Sequence, residues 1–220
     1  MYTPPPFKPD RTASLASAEA RGFGLICATD GHKLAASPVP FYRSYAADGT
    51  PQAVFHVARQ NPLVKLADGS SRWLLAIIGA DAYVSADWYV SADQVPTWLY
   101  QAVHLSGLVR KLFDGELALR IDTLSVKFQN RLPPKKPWTS RKMTAGRLEA
   151  MKRTIVGLSM TVEEIEGGFK LNQHGSEADS AAGTASLASQ PDTGSQQIAG
   201  LMRQARPQAF ETNRLQRSVQ

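Results

Sequence analysis

The sequence predicts an α+β fold, an antiparallel β-barrel or sheet with helices at its margins. Three observations carry this. Six or seven short apolar or alternating runs follow one another along the chain, with turn signals such as Asp30-Gly31 between them. Stretches of helical character, at 11–20, 114–129 and 145–155, lie beside those runs instead of alternating with them, which argues against a parallel α/β sheet. From about Gly175 the composition becomes small and polar, so one domain over residues 1–175 is expected, followed by a tail over 176–220.

Taken in order, Met1–Pro9 is proline-rich and extended. Asp10 is placed to cap a short helix over Arg11–Ala20, ended by Gly22. Phe23–Thr29 reads as a strand and Leu34–Phe41 as its hairpin partner, confined by Pro38 and Pro40 to an edge or a bulged end. Ala53–Ala58 is a third strand. Asn61 and Pro62 then start a short helix through Leu66. The continuous apolar run Trp73–Ile78 predicts a central strand buried on both faces, continued by Ala82–Ser85 after a break at Gly79. An irregular aromatic loop centred on Pro96 leads to a strand over Val103–Val109. Asp114–Gln129 carries Leu117, Ile121, Leu124 and Phe128 on one helical face. Thr144 is placed to cap a helix over Ala145–Ile155. Leu158–Ile165 follows as a strand, Gly167-Gly168 as a turn, and Phe169–Leu171 as a short return. In the partly disordered tail only Gln196–Gln204, with Ile198, Leu201 and Met202, predicts a short helix.

Composition excludes several classes. No apolar run approaches the ~18–20 residues that span a bilayer, and the amino-terminal residues lack a basic-then-apolar signal pattern, so a cytoplasmic protein is expected. The single cysteine, Cys27, rules out an internal disulfide and reads as a small hydrophobe in a strand. There is no phosphate loop, GxGxxG, HExxH or GxSxG. The four histidines lack metal-ligand spacing, and Glu163, Glu164 and Glu166 read as a solvent face. No catalytic residue and no metal site is assigned. The formal net charge of +6 suits an anionic partner, and the densest basic cluster is Lys135, Lys136, Arg141 and Lys142, followed by Arg147, Lys152 and Arg153.

Two features attract functional attention. Tyr83, Trp88, Tyr89, Trp98 and Tyr100 place five of the ten Trp and Tyr residues in one segment, 79–107, and such rings either fill a core or wall a site for a flat ligand. Arg59 stands at a strand-to-helix junction beside Asn61, where a guanidinium and the first amides of a helix can meet a phosphate.

Five segments resemble the PaiB-type FMN-binding negative transcriptional regulators: the opening MYTPPPFKPD, HVARQNP at 56–62, AYVSADWY at 82–89, VPTWLYQAVHLSG at 95–107 and IVGLSMTVEEIEGGFKLNQH at 155–174. The resemblance runs in order from Met1 to about Asp179. It implies an FMN-binding split barrel, paired as a homodimer with flavin in clefts at the interface. By that resemblance Arg59 and Asn61 would receive the flavin phosphate and Ser85 would donate a hydroxyl to it. Trp88, Trp98 and Tyr100 would wall or stack the isoalloxazine, and His104, Lys170 and Gln173 would line the cleft or the dimer seam. The chain departs from the family pattern at Pro38, Leu99, Gly168, Asn172 and His174, where polar or charged positions are lost or exchanged. Leu99 replaces an amide able both to donate and to accept hydrogen bonds. The expected function is a flavin-binding protein of regulatory role. The alternatives are an FMN-dependent oxidoreductase using the same pocket, and a cofactor-free regulator of the same fold that binds DNA through Lys135, Lys136 and Arg141.

Overall fold

A computed structural model describes residues 1–135, 137–144 and 146–210. Lys136 and Ala145, which belong to the expected basic cluster and helix, lie outside the described residues, as does the tail over 211–220. The elements are α1 (Arg11–Arg21), β1 (Phe23–Thr29), β2 (Leu34–Tyr45), β3 (Pro51–Ala58), α2 (Leu63–Leu66), β4 (Asp68–Val84), β5 (Thr97–Lys111), α3 (Asp114–Gln129), α4 (Arg147–Lys152), β6 (Ile155–Lys170), α5 (Glu177–Ala188) and α6 (Thr193–Ala205). Six strands close a barrel in the order β1-β2-β3-β6-β5-β4. Strands β1–β2, β1–β4, β2–β3 and β3–β6 pair antiparallel.

The chain divides into two compact units. The first comprises Leu15–Ile77 and His104–Ile165, and its core follows from strand register. Ile26 faces Leu75, Phe41 faces Phe55, and Phe55 in turn faces Leu158, so directly paired residues share the inward face. All of these are buried, as are Trp73 and Met160. On the opposite face of β2 and β3, Tyr42 and Val54 are covered by Leu112 and by Leu124 and Phe128 of α3. The helical spacing of α3 is thus realised as read. Gly107, the last residue of the VHLSG segment, is required by close strand approach, since a Cβ there would fall 1.8 Å from the Thr161 carbonyl oxygen.

The second unit comprises, among the described residues, Met1–Ser14, Ile78–Val103 and residues 166–210. Its core is Ala82, Val84, Leu99, Leu171, Leu187, Ile198, Ala199 and Met202. The stretch after Gly175 therefore folds, at least through Ala205. Its apolar residues are sparse but fall on facing sides of α5 and α6. Ser176 caps α5 by accepting from the Asp179 N–H, and Asp192 caps α6 by accepting from the Ser195 N–H.

Several boundaries move. Residues 73–84 form one strand, not two, and Leu74 and Ala76 are only half-buried, so the apolar run is buried on one face. The end of the expected aromatic loop, residues 97–102, is strand, because β5 begins at Thr97. Gly146, at φ +79°, stands before α4 in place of a Thr144 side-chain cap, and β6 begins at Ile155, within the expected helix. Gly167-Gly168 is no turn: β6 runs through both. At Gly167 a side chain would collide with Pro9 and Ser14, so close packing fixes that glycine.

Candidate functional site

Pro38 and Pro40 open the site. Toward β1, β2 pairs from Leu34 to Pro40; toward β3 it pairs only from Phe41 to Tyr45. Phe41 donates its N–H to the Gly22 carbonyl, on the β1 side. By strand alternation the nitrogens of residues 40 and 38 face away from β1, and proline has no hydrogen there to give a neighbour. Strand β3 continues past Phe55 on β6 alone, with His56 opposite Gly157 and Ala58 opposite Ile155. The two strands part, and a cleft of about 760 Å³ lies between them, within the ~300–1,000 Å³ typical of small-molecule sites. The edge expected of β2 is therefore real but local, since the strand itself is central.

The cleft has an apolar floor that includes Val39, Pro40, Val57 and Ala58, and Arg59 and Arg153 at its rim. The Arg59 backbone N–H donates to the Thr154 carbonyl at 2.8 Å. Its Nε donates to the Arg153 carbonyl at 2.6 Å and its Nη2 to the Ile155 carbonyl at 3.0 Å. Two of the five guanidinium N–H donors are thereby used, and three are left for a ligand. The plane of the group is fixed before any ligand arrives, which lowers the entropy cost of using it.

Asn61 lines the same cleft, but much of its side chain is already engaged. Its Nδ2 donates to Ser37 Oγ at 2.7 Å, and its Oδ1 accepts from the Leu63 N–H at 3.0 Å. The next amides, Val64 and Lys65, donate to the Asn61 and Pro62 carbonyls. The expected anion site on free helix amides is therefore absent, because the turn consumes those of residues 63, 64 and 65. What remains is the guanidinium and one Asn61 N–H. Sequence reasoning missed Ser37, His56 and Arg153 as cleft residues. His56 was visible, since it opens the HVARQNP segment. Burial pushes its imidazole pKa down, so it stands neutral at pH 7 with one nitrogen able to accept.

None of the other expected residues is among those that line this cleft. His104 belongs to the same unit, half-buried on β5 between the buried Val103 and Leu105. Ser85, Trp88, Trp98, Tyr100, Lys170 and Gln173 belong to the second unit. Ser85 Oγ accepts from the Asp87 N–H at 3.3 Å, which leaves its own proton to donate. Trp88 is half-buried against the α5–α6 core. Trp98 is 56% exposed and meets the 51% exposed Tyr83 edge-on, with centroids 5.8 Å apart. Tyr100 is half-buried. Lys170 Nζ donates to Thr97 Oγ1 at 2.5 Å. Gln173 turns back on its own strand, accepting from the Leu171 N–H and donating to the Phe169 carbonyl. Leu99 is 1% exposed and packed in the α5–α6 core, on the strand face opposite Trp98 and Tyr100. Among the described residues no group of His, Cys, Asp or Glu could hold a metal ion, and no helix is long and apolar enough to cross a membrane.

The fold and the chain have relatives. The protease synthase and sporulation protein PAI 2 of Bacillus subtilis is 29% identical over 203 residues, which are 92% of this chain and 96% of the relative. An FAD- and heme-binding protein of Mycobacterium smegmatis superposes with a TM-score of 0.52 at 13% identity, over 73% of this chain and 71% of its own. A conserved hypothetical protein of Mycobacterium tuberculosis does so with a TM-score of 0.55 at 7% identity, over 80% of this chain and 94% of its own. At these identities the two structural likenesses concern the fold alone. A family model described as "Putative FMN-binding domain" matches residues 1–164, so the chain belongs to that family.

Proposed function

We propose that the protein binds FMN in the Arg59 cleft, works as a homodimer and serves a regulatory role. One observation carries the ligand. A guanidinium already oriented by two main-chain carbonyls presents three N–H groups at the rim of an apolar cleft. A phosphomonoester meets those donors and a flat ring system suits the floor, so the residues present fit the two ends of FMN. Family membership and the name of the Bacillus subtilis relative support the same reading. When bound, FMN would supply reversible electron and hydride chemistry. The chain's part is to anchor the phosphate at Arg59, to offer the His56 nitrogen as an acceptor and to exclude water with Val39, Pro40 and Val57. Titrating the purified protein with FMN and recording its visible spectrum tests this. A saturable shift is expected, and a colourless protein that ignores FMN would sink the reading.

The homodimer rests on the outer sheet face. Phe23, Leu25 and Cys27 of β1 stand opposite Pro40, Pro38 and Ala36 of β2, and Leu25 and Cys27 also stand opposite Ala76 and Leu74 of β4. These eight outward positions are all apolar, and Phe23 and Leu25 are each 44% exposed. A continuous apolar face of this kind marks an interaction surface, and it runs into the cleft at Pro38 and Pro40. Sedimentation of the wild type and of Leu25→Asp should give a dimer and a monomer respectively; a monomeric wild type counts against pairing.

The regulatory role is supported by charge. Between residues 131 and 153 eight Lys and Arg face one acid, Glu149, and Arg141, Arg147 and Arg153 are exposed. Such a stretch suits a nucleic-acid backbone. Gel-shift titrations across a salt series, with Arg141→Gln and Arg147→Gln, should show weaker binding and a shallower salt slope. Binding that ignores both substitutions would remove the DNA part of the proposal.

A further inference from the structure

The cation-rich stretch and the rim of the cleft share residues. The run of Lys and Arg between 131 and 153 ends in Arg153, and Arg153 is a lining residue of the Arg59 cleft. Helix α4 stops at Lys152, and the next three residues hold Arg59: its main-chain N–H, Nε and Nη2 donate to the carbonyls of Thr154, Arg153 and Ile155. Arg59 is thereby tied to the end of the cation-rich stretch, and both arginines are exposed. The cations of that stretch differ in how far they are spent. Lys152 is paired with Glu149 at 2.8 Å, and Lys135 donates to Gln129 Oε1. Arg141, Arg147 and Arg153 are exposed, and their side chains make no hydrogen bond or ion pair to a described residue. The groups at the cleft end of the stretch that can meet a nucleic-acid phosphate are thus the ones that can meet a phosphate in the cleft. A phosphate bound bidentately takes two of the three N–H groups that Arg59 has left.

We propose that a phosphate-bearing ligand in the cleft and a nucleic-acid backbone compete for Arg59 and Arg153, so that the ligand loosens the protein's hold on nucleic acid. The inference rests on the flavin and nucleic-acid readings above and adds the link between them. That link needs no change of shape. The ligand's phosphate replaces two backbone contacts at the shared rim, while Arg141 and Arg147, farther along the stretch, keep a weaker hold. By linkage the two anions weaken each other's binding by the same factor.

The test measures binding of a short duplex DNA to the full chain by filter binding across a salt series, without flavin, with saturating FMN, and with riboflavin, which has the same ring and no phosphate. FMN should weaken DNA binding about tenfold or more and make the salt slope shallower by about 1.8, the loss of two phosphate contacts. Riboflavin should do neither. Arg153→Gln should bind DNA more weakly and lose most of the FMN effect, with its melting temperature unchanged. Arg147→Gln should also bind DNA more weakly yet keep the full FMN effect, because Arg147 does not line the cleft. The proposal is overturned, with both earlier readings left standing, if DNA and FMN bind without altering each other, if riboflavin acts as strongly as FMN, or if the two variants respond to FMN alike. Protein that binds no FMN, or no DNA, removes the corresponding reading and this one with it.

Discussion

Arg59 and Asp179 each tie distant parts of their own unit together, and they do so to opposite ends. Asp179 is buried at 4% exposure and its carboxylate accepts from the Val90 N–H, the Ser91 N–H, the Ser91 hydroxyl and the Ser176 hydroxyl. Those bonds hold its pKa far below the usual carboxylate range. Nothing is left over, and the residue clasps the segment after Trp88 to the start of α5. Arg59 spends two donors on strand β6 and keeps three at an open cleft. The contrast teaches that a saturated charge is architecture, while a charge that is half spent and fully oriented is an invitation to a ligand.

The comparison can be broken in four places. The largest effect is expected from Asp179→Ala, which takes the carboxylate acceptor away from the Val90 and Ser91 N–H groups. It should lower the thermal midpoint more than any other change named here and leave Arg59-dependent binding unaltered in the protein that remains folded. The same clasp sets a pH dependence. A carboxyl whose folded pKa lies below its unfolded value of ~3.9 stabilises the fold above that value, and the contribution is lost as pH falls through and below it. Wild-type stability should therefore decline from about pH 4 downward, whereas Asp179→Asn should be less stable at neutral pH and flatter over that range. An unchanged acid limb in Asp179→Asn would show that the clasp is not saturated.

Next comes Leu99→Asn, which restores the residue expected from the family pattern. In the α5–α6 core it buries an amide among Leu187, Ile198 and Met202, at a cost of about 2–4 kcal/mol in denaturant melts. FMN affinity of the folded fraction should not improve. Tighter FMN binding without loss of stability would place Leu99 at the ligand instead. Arg59→Ala should weaken FMN about 100-fold while leaving riboflavin, which lacks the phosphate, nearly unaffected. Equal losses for both flavins would show that Arg59 acts on the cleft's shape. The smallest effect is that of Ser37→Ala, which removes the Asn61 partner for about 1 kcal/mol of stability and a few-fold loss of FMN affinity measured by fluorescence quenching.

Much of this was legible in the chain. Strand β1 and helix α3 carry their patterns openly, and their bounds match the reading to the residue. Arg59 was legible because an arginine at a strand-to-loop junction beside an Asx residue is a compact local signal. What was not legible depended on partners far along the chain. The role of Leu99 was read from a family pattern as a lost polar contact, yet α5 and α6, some ninety residues later, turn its side of β5 into a core. Helix α5 was itself hidden, because its Ala, Ser, Gly and Thr pack against a neighbouring helix without giving a strong apolar signal, whereas α6 carries Ile198, Leu201 and Met202 and was legible as a short helix over Gln196–Gln204. Gly167 looked like a turn for the same reason: what demands a glycine there is the packing of Pro9 and Ser14, which no local pattern announces.

The parting of β2 from β3 has one more consequence. It leaves β3 from His56 to Ala58 with an unpaired side, and an exposed strand edge invites another chain to add itself as a strand. Pro38 and Pro40 forbid that on the facing side, since neither can donate a main-chain hydrogen bond to an incoming strand. The chain can thus keep a permanent gap in its barrel wall, filled by a small molecule or by nothing, without becoming a seed for aggregation. Replacing either proline would threaten solubility before it threatened binding.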